Sequence, residues 1–277
     1  MSHLHHALQA QRFELKYQIP SSLIVPIRDF VRSYLVIDEF GEGSADYSYP
    51  VHSIYLDSED LQTFHWSLNG NKNRYKLRVR FYDNNPKGPV FFELKRRMND
   101  CILKERCGVR RAAAAEVMAG FIPDPKNILS SAPSQIVSLQ RFCNMMHDIK
   151  AKPKSHVAYN REAWVSPHDN SVRVTMDQKI RCEPCFELRF ETAMKKPFYV
   201  FGKDNILEVK FTNRYPNWIK EMIQVFKLMQ CGGAKYAWGM EQVGEQNFSK
   251  VSGDGGLAPE PDQVLPKHLH RKQGEHA

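Results

Sequence analysis

Apolar and polar positions alternate with period two in one run after another along this chain. In Lys76-Leu77-Arg78-Val79-Arg80-Phe81-Tyr82, Leu77, Val79 and Phe81 fall on one face of a strand and Lys76, Arg78 and Arg80 on the other. Phe92-Glu93-Leu94-Lys95-Arg96-Arg97 follows closely. Similar alternation recurs at Phe13-Glu14-Leu15-Lys16-Tyr17, around Lys104 and Arg106, at 172–177, and at Leu207-Glu208-Val209-Lys210-Phe211. One antiparallel sheet with a solvated outer face would give such a pattern in any single strand. Its repetition, with cations dominating and glutamates occurring mainly as Glu-x-Lys, points instead to a concave face that receives a polyanion.

The pattern predicts strands at 12–19, 51–56, 75–82, 89–97, 101–109, 155–165, 171–177, 185–191 and 205–212. Helical spacing with start and stop signals predicts helices from Pro20-Ser21-Ser22 to about Leu35, at 61–68, 111–120, 133–147, and from Pro216 to about Gln230, where Gly232-Gly233 reads as the stop. Asp57, Ser58, Glu59 and Asp60 read as caps of the short helix after them. Loops are expected at 41–48 and 83–88 and a turn at 166–170. Strands with inserted helices, not alternating βα units, place the chain in the α+β class with a largely antiparallel sheet. About eight such strands can close into a barrel whose lumen is the charged face, flanked by helices. The expected organisation is an N-terminal segment 1–11, one domain over 12–246, and a Gly- and Pro-rich tail over 247–277.

The chain has 277 residues, a formal charge of +8 and a pI near 9.1. That excess favours an anionic partner without choosing among phosphates, nucleic acid and acidic lipid. No run approaches the roughly eighteen apolar residues that span a bilayer, and the first residues lack a signal peptide's apolar core. A cytoplasmic protein is expected, reaching the inner face of a membrane only through a partner. The six cysteines at 101, 107, 143, 182, 185 and 231 then read as reduced thiols. Cys182-Glu183-Pro184-Cys185 has zinc spacing, but its second pair would have to be Cys143 and Cys231, and two strand-end cysteines around a turn is the simpler reading. His3, His5 and His6 read as incidental, and Asp177 as a turn residue. Trp218, Ile219, Met222, Ile223 and Phe226 form an apolar helical stripe for packing against the barrel. Nucleic acid is disfavoured, because Phe81, Phe91 and Tyr17 fall on the apolar parity or at strand ends and offer no stacking platform.

Arg12-Phe13-Glu14-Leu15-Lys16-Tyr17, Ser53-Ile54-Tyr55-Leu56-Asp57-Ser58, the Lys-Leu-Arg-Val-Arg-Phe-Tyr run, Phe92-Glu93-Leu94-Lys95, Tyr159-Asn160-Arg161, Val172-Arg173-Val174-Thr175-Met176-Asp177, Leu207-Glu208-Val209-Lys210 and Ala234-Lys235-Tyr236 occur in order. The series, spanning residues 12 to about 240, resembles the VTC (vacuolar transporter chaperone) polyphosphate polymerase domain of the triphosphate tunnel metalloenzyme superfamily. The resemblance implies a tunnel whose cations hold a triphosphate or polyphosphate and an activity that moves the terminal phosphoryl group of ATP onto a growing chain. It implies Lys16, Arg78, Arg80, Lys95, Lys104, Arg161, Arg173 and Lys235 as phosphate ligands. Glu208, and with it Glu14, would hold a divalent metal, Mn or Mg. Lys16, Arg78, Arg80, Lys95, Arg161, Arg173 and Glu208 would carry the transfer itself. Arg97 and Arg106 either line the tunnel or pair with nearby carboxylates. Without the resemblance, Lys235 reads as a cation at a helix C-terminus.

Hydrolases and cyclases of that superfamily begin Glu-x-Glu-x-Lys, whereas this chain has Arg12 at the first position. Fewer acidic residues argue against a cyclase or a two-metal hydrolase. A basic residue expected in the helix before the arginine strand is Ser67 here, with Lys72 and Arg74 as substitutes. Two other functions fit the same residues: a tripolyphosphatase or nucleoside triphosphatase, and a non-catalytic sensor of polyphosphate or inositol phosphates. Coupling to transport would need a separate membrane protein.

Overall fold

The computed structural model describes residues 12–99, 101–167, 169, 171–212 and 215–249. The N-terminal histidines, the side chain of Arg12, part of the 166–170 turn and the tail beyond Ser249 lie outside the described residues. The strands are β1 (Arg12–Pro20), β2 (Val36–Ile37), β3 (Ser48–Asp57), β4 (Asn73–Phe81), β5 (Pro89–Met98), β6 (Cys101–Arg110), β7 (Lys152–Val165), β8 (Val172–Pro184), β9 (Phe198–Tyr199) and β10 (Asp204–Thr212). The helices are α1 (Ile24–Val31), α2 (Gln62–Leu68), α3 (Ala114–Met118), α4 (Pro133–Asp148), α5 (Asn217–Val225) and α6 (Lys235–Val243).

The strands form one antiparallel sheet in the order β1-β10-β8-β7-β3-β4-β5-β6, with β2 paired to β7 and β9 to β8. This is the expected α+β, tunnel-like architecture, but it is not a closed barrel. No backbone ladder joins β6 to β1 among the described residues; instead Lys95 of β5 reaches Glu14 of β1 at 3.3 Å. Single bridges from Gln230 to Tyr17 and from Ile128 to Val109 cover parts of the two free edges.

Alternation decides what each face packs. Leu77, Val79, Phe81, Val90, Phe92 and Leu94 are buried on the convex side of β4 and β5 beneath Val117 of α3 and Leu139, Phe142 and Met146 of α4. Val174, Met176, Leu207 and Val209 do the same on the other half, beneath Ile27 of α1 and Ile219 and Met222 of α5. A third cluster lies on the concave side, where Tyr55, Val157 and Tyr159 meet Phe64 of α2, Tyr236 and Met240 of α6, and Phe248. Gly239 allows that fit, since a Cβ there would lie 2.8 Å from the Cys182 sulfur.

Asp57 ties α2 and α6 to the sheet. Its carboxylate accepts from the backbone of Ser58, Thr63 and Phe64, and from the Tyr236 hydroxyl at 2.7 Å. The expected capping role is therefore met, with Ser58 Oγ accepting from the Gln62 amide.

Several expectations change. Residues 185–191 are not a strand: the Cys185 amide bonds the Lys154 carbonyl near the start of β7, and the paired length of β7 ends there. Leu188 and Phe190 instead pack against the convex core. The helix from 217 stops at Val225, not Gln230, because Lys227 takes the left-handed conformation (φ 50°) and Leu228 donates back to the Ile223 carbonyl. Gly232 and Gly233 accordingly do not end a helix; they precede α6, which the sequence reading omitted. Likewise α1 ends at Val31 rather than Leu35.

Candidate functional site

The concave face carries the even-numbered row of β4 (Arg74, Lys76, Arg78, Arg80) beside the odd-numbered row of β5 (Phe91, Glu93, Lys95, Arg97), with Lys95 opposite Lys76 and Glu93 opposite Arg78. Phe91 is thus on the charged face and not on the apolar parity, with the Arg106 guanidinium stacked 3.6 Å from its ring centre. Glu93 gathers the cations of this half. Arg78 Nη2 lies at 2.6 Å, Lys104 at 3.3 Å, Arg106 at 3.5 Å and Arg80 at 3.8 Å from its carboxylate. Tyrosine hydroxyls orient the arginines: Arg78 donates to Tyr55 at 3.1 Å, and Arg80 to Tyr159 and Ser53, each at 3.3 Å.

The other half is built on Glu208 and Asp177. Lys235 donates to Glu208 at 2.8 Å and lies 2.6 Å from Asp177, while Lys210 meets Glu208 at 2.9 Å and Lys16 lies at 3.9 Å. Arg161 forks onto Asp177 with bonds of 2.7 and 2.8 Å. Asp177 is therefore not a turn residue but sits in mid-strand on β8, fully buried. Lys235 opens α6 instead of closing a helix, a position where the helix dipole disfavours a cation. The two carboxylates offset that cost. Gly233 makes the approach possible: its φ is +49°, and a Cβ there would fall 2.9 Å from the Lys16 side chain.

Burial works to raise the Glu208 and Glu93 carboxyls, but the cations around each outweigh it and hold both well below the usual carboxylate range. Glu14, 3.0 Å from Lys16, is held at about 2 in the same way, with Lys95 as its second partner. The lysines of the β4–β6 half go the other way. Burial, aided by Lys16, Lys95, Arg74 and Arg78, pushes Lys76 down to about 7. Burial pushes Lys104 down to about 7 and Lys95 to about 8, despite Glu93 beside the first and Glu14 beside the second. Among the described residues Lys76 has no ion pair and lies over the Tyr236 ring.

Of the residues singled out from sequence, Lys16, Arg161, Lys235, Glu208 and Glu14 converge in one half and Arg78, Arg80 and Lys104 in the other, with Lys95 bridging them. Arg173 stands apart at the rim, donating to Asp38 at 2.6 Å. Arg106 joins the Glu93 group, and Arg74 extends the β4 row past Ser67, whose hydroxyl bonds the Thr63 carbonyl.

The family model for the VTC domain matches residues 11–243. The chain belongs to the VTC domain family. That family is associated with enzymatic polyphosphate metabolism, and a face in which cations outnumber carboxylates is chemically suited to such a polyanion. No curated protein matches the chain. Among solved structures, the PH1819 protein of Pyrococcus horikoshii OT3 is similar at 12% identity over 78% of this chain and 86% of that one, with a TM-score of 0.34.

Within the VTC domain, the alternation put Lys76 and Lys210 on the charged face although the residues implied by the resemblance left them out, and Asp177, of the same parity as Arg173, was read as a turn residue. Cys182 is buried against Gly239, Cys143 and Cys185 lie in the convex core cluster and Cys231 stands near Lys16. The four cysteines are thus not gathered, and no cluster of three or more metal-ligating side chains occurs among the described residues. The donor set does fit a hard divalent ion carried by phosphate: Glu208 and Glu14 provide carboxylate oxygens, and the buried Thr175 hydroxyl, directly across from Glu208, has no hydrogen-bond partner. No helix among the described residues is long and apolar enough to cross a membrane.

Proposed function

We propose that this VTC domain is a polyphosphate polymerase that moves the terminal phosphoryl group of ATP onto a polyphosphate chain lying along its cationic face. The observation that carries the reading is the surplus of cations over carboxylates on one continuous face, where Glu93 alone faces Arg78, Arg80, Lys104 and Arg106. Phosphoryl transfer demands positioning and charge neutralisation more than a protein nucleophile. The guanidinium forks of Arg78 and Arg80, fixed by Tyr55, Tyr159 and Ser53, suit the oxygens of the transferring group. Lys16, Lys95 and Lys235 act as point charges on the flanking phosphates. A divalent ion held by Glu208 and Glu14 together with phosphate oxygens would supply further neutralisation of the developing charge.

Transfer to phosphate makes the smaller demand on the protein. The terminal phosphate of an acceptor chain is already ionised and needs no base, whereas water must lose a proton. His52 and His156 pair with each other at 3.0 Å, with His52 against Phe81 of the convex core and off the charged face.

Phosphorus NMR of the protein with ATP and Mn or Mg, beside a Glu208→Gln control, tests the proposal. An internal-phosphate resonance that grows with ADP and is lost in the variant is the expected result. Orthophosphate alone would favour the hydrolase, and unchanged ATP would overturn a self-sufficient polymerase in favour of a sensor or a domain that needs a partner.

A further inference from the structure

At the Arg80 end of the charged face the rows of cations run into aromatic rings. Phe91 is the cross-strand partner of Arg80, Tyr82 continues the alternation of Arg78 and Arg80, and Tyr49 continues that of Ser53 and Tyr55. The rings follow one another: Phe40 to Tyr49 at 5.7 Å, Tyr49 to Tyr82 at 6.5 Å, and Tyr82 to Phe91 at 5.9 Å between centroids. Arg106 joins the series to the phosphate-facing cations, stacking on Phe91 while donating to the Tyr82 hydroxyl at 3.3 Å and reaching Glu93.

The outermost ring is both open and held in place. Phe40 is 66% exposed while its ring lies against Tyr49. Its backbone N–H donates to Asp38 at 3.1 Å, and the other oxygen of Asp38 takes the 2.6 Å bond from Arg173. Arg173, at the rim, thus holds the aspartate that fixes the loop carrying the ring.

We propose that this series is the binding platform for the base of a nucleoside triphosphate whose phosphates enter the cationic face at Arg80 and Arg106. The inference rests on the polymerase reading and adds to it the part of the donor that inorganic polyphosphate lacks. A flat base gains from ring faces whatever its hydrogen-bonding edge, and a guanidinium lying in the same stack serves base and phosphate at once. The platform therefore selects a nucleotide over a bare polyphosphate as donor without strong choice among bases.

The test is calorimetric titration of the whole chain with ATP and, separately, with inorganic tripolyphosphate, for the wild type and for Phe40→Ala and Tyr49→Ala. Phe40 is exposed enough that its variant should fold, and thermal melting of both variants checks this. The expected result is ATP binding weakened about tenfold, with tripolyphosphate binding changed less than about twofold. Equal weakening for both ligands, or ATP affinity unchanged in both variants, would overturn the platform while leaving the polymerase reading intact. Wild-type protein that binds neither ligand would overturn both.

Discussion

The two halves of the charged face are made from the same residue types but reach electrical balance differently. Around β1, β8 and β10, Glu14, Asp177 and Glu208 each have lysine or arginine partners within 3 Å, and Lys235 is held by two carboxylates at once. Around β4, β5 and β6, Glu93 is shared among several cations, and Lys76 and Lys104 are pushed down to about 7. The first half is complete in itself; the second is a set of cations, Arg80 buried, Arg78, Lys76 and Arg106 part-buried and Lys104 exposed, that outnumber their carboxylate and are open to an anion. Cations crowded on one carboxylate repel one another, so the second half should gain stability when a polyanion arrives, and the first should change little.

The largest expected effect comes from breaking the balanced half. Glu208→Gln keeps the shape but leaves Lys16, Lys210 and Lys235 without their common partner, and phosphoryl transfer should fall about 100-fold or more, read as turnover by phosphorus NMR. Next, Glu93→Gln removes the carboxylate shared by Arg78, Arg80, Lys104 and Arg106 and should destabilise the ligand-free protein by roughly 3–5 kcal/mol in denaturant unfolding. Added tripolyphosphate should restore much of that loss. A loss that tripolyphosphate does not relieve would mean the two halves are not the distinct devices described.

A third effect depends on pH. A lysine whose folded value lies below its unfolded value binds fewer protons when folded, so its contribution makes the ligand-free protein gain stability as pH rises. For Lys76 and Lys104 that window opens near pH 7, for Lys95 near pH 8, and it closes near the ordinary lysine value of 10.5. Anion binding draws on the protonated forms, so tripolyphosphate affinity should fall as pH rises from 6 to 9. Lys76→Met should flatten that profile in calorimetry. The smallest effect is expected for Lys104→Ala: its side chain is 46% exposed, and its loss should weaken tripolyphosphate binding only a few-fold.

The alternation of Lys76 through Phe81, and of the Glu-x-Lys runs, carried the strands, both faces and most of the site, because period two is a local property that burial enforces residue by residue. What escaped was non-local. Asp177 resembled a turn residue because a buried aspartate in mid-strand is tolerable only beside Arg161 and Lys235, which lie 16 and 58 positions away in the chain. The helix α6 was hidden by Gly232 and Gly233, read as a stop, and by Gly239, whose missing side chain serves contact with Cys182 rather than helix propensity. The 185–191 segment alternates like a strand, but a strand also needs a neighbour, and β7 has no length left to pair with it. Closure of the barrel failed for a related reason: charge alternation fixes faces but says nothing about whether the first and last strands meet.

That open seam gives the surface charge a second consequence. The free edges of β1 and β6 present backbone donors and acceptors that another chain's strand could extend. The alternating Glu14 and Lys16 on one edge, and Lys104, Glu105 and Arg106 on the other, make any apolar newcomer strip hydration from charged neighbours. The Gln230 and Ile128 bridges occupy part of each edge as well. The arrangement that attracts an anionic polymer into the concave face thus also guards the sheet against growing by accretion of other strands.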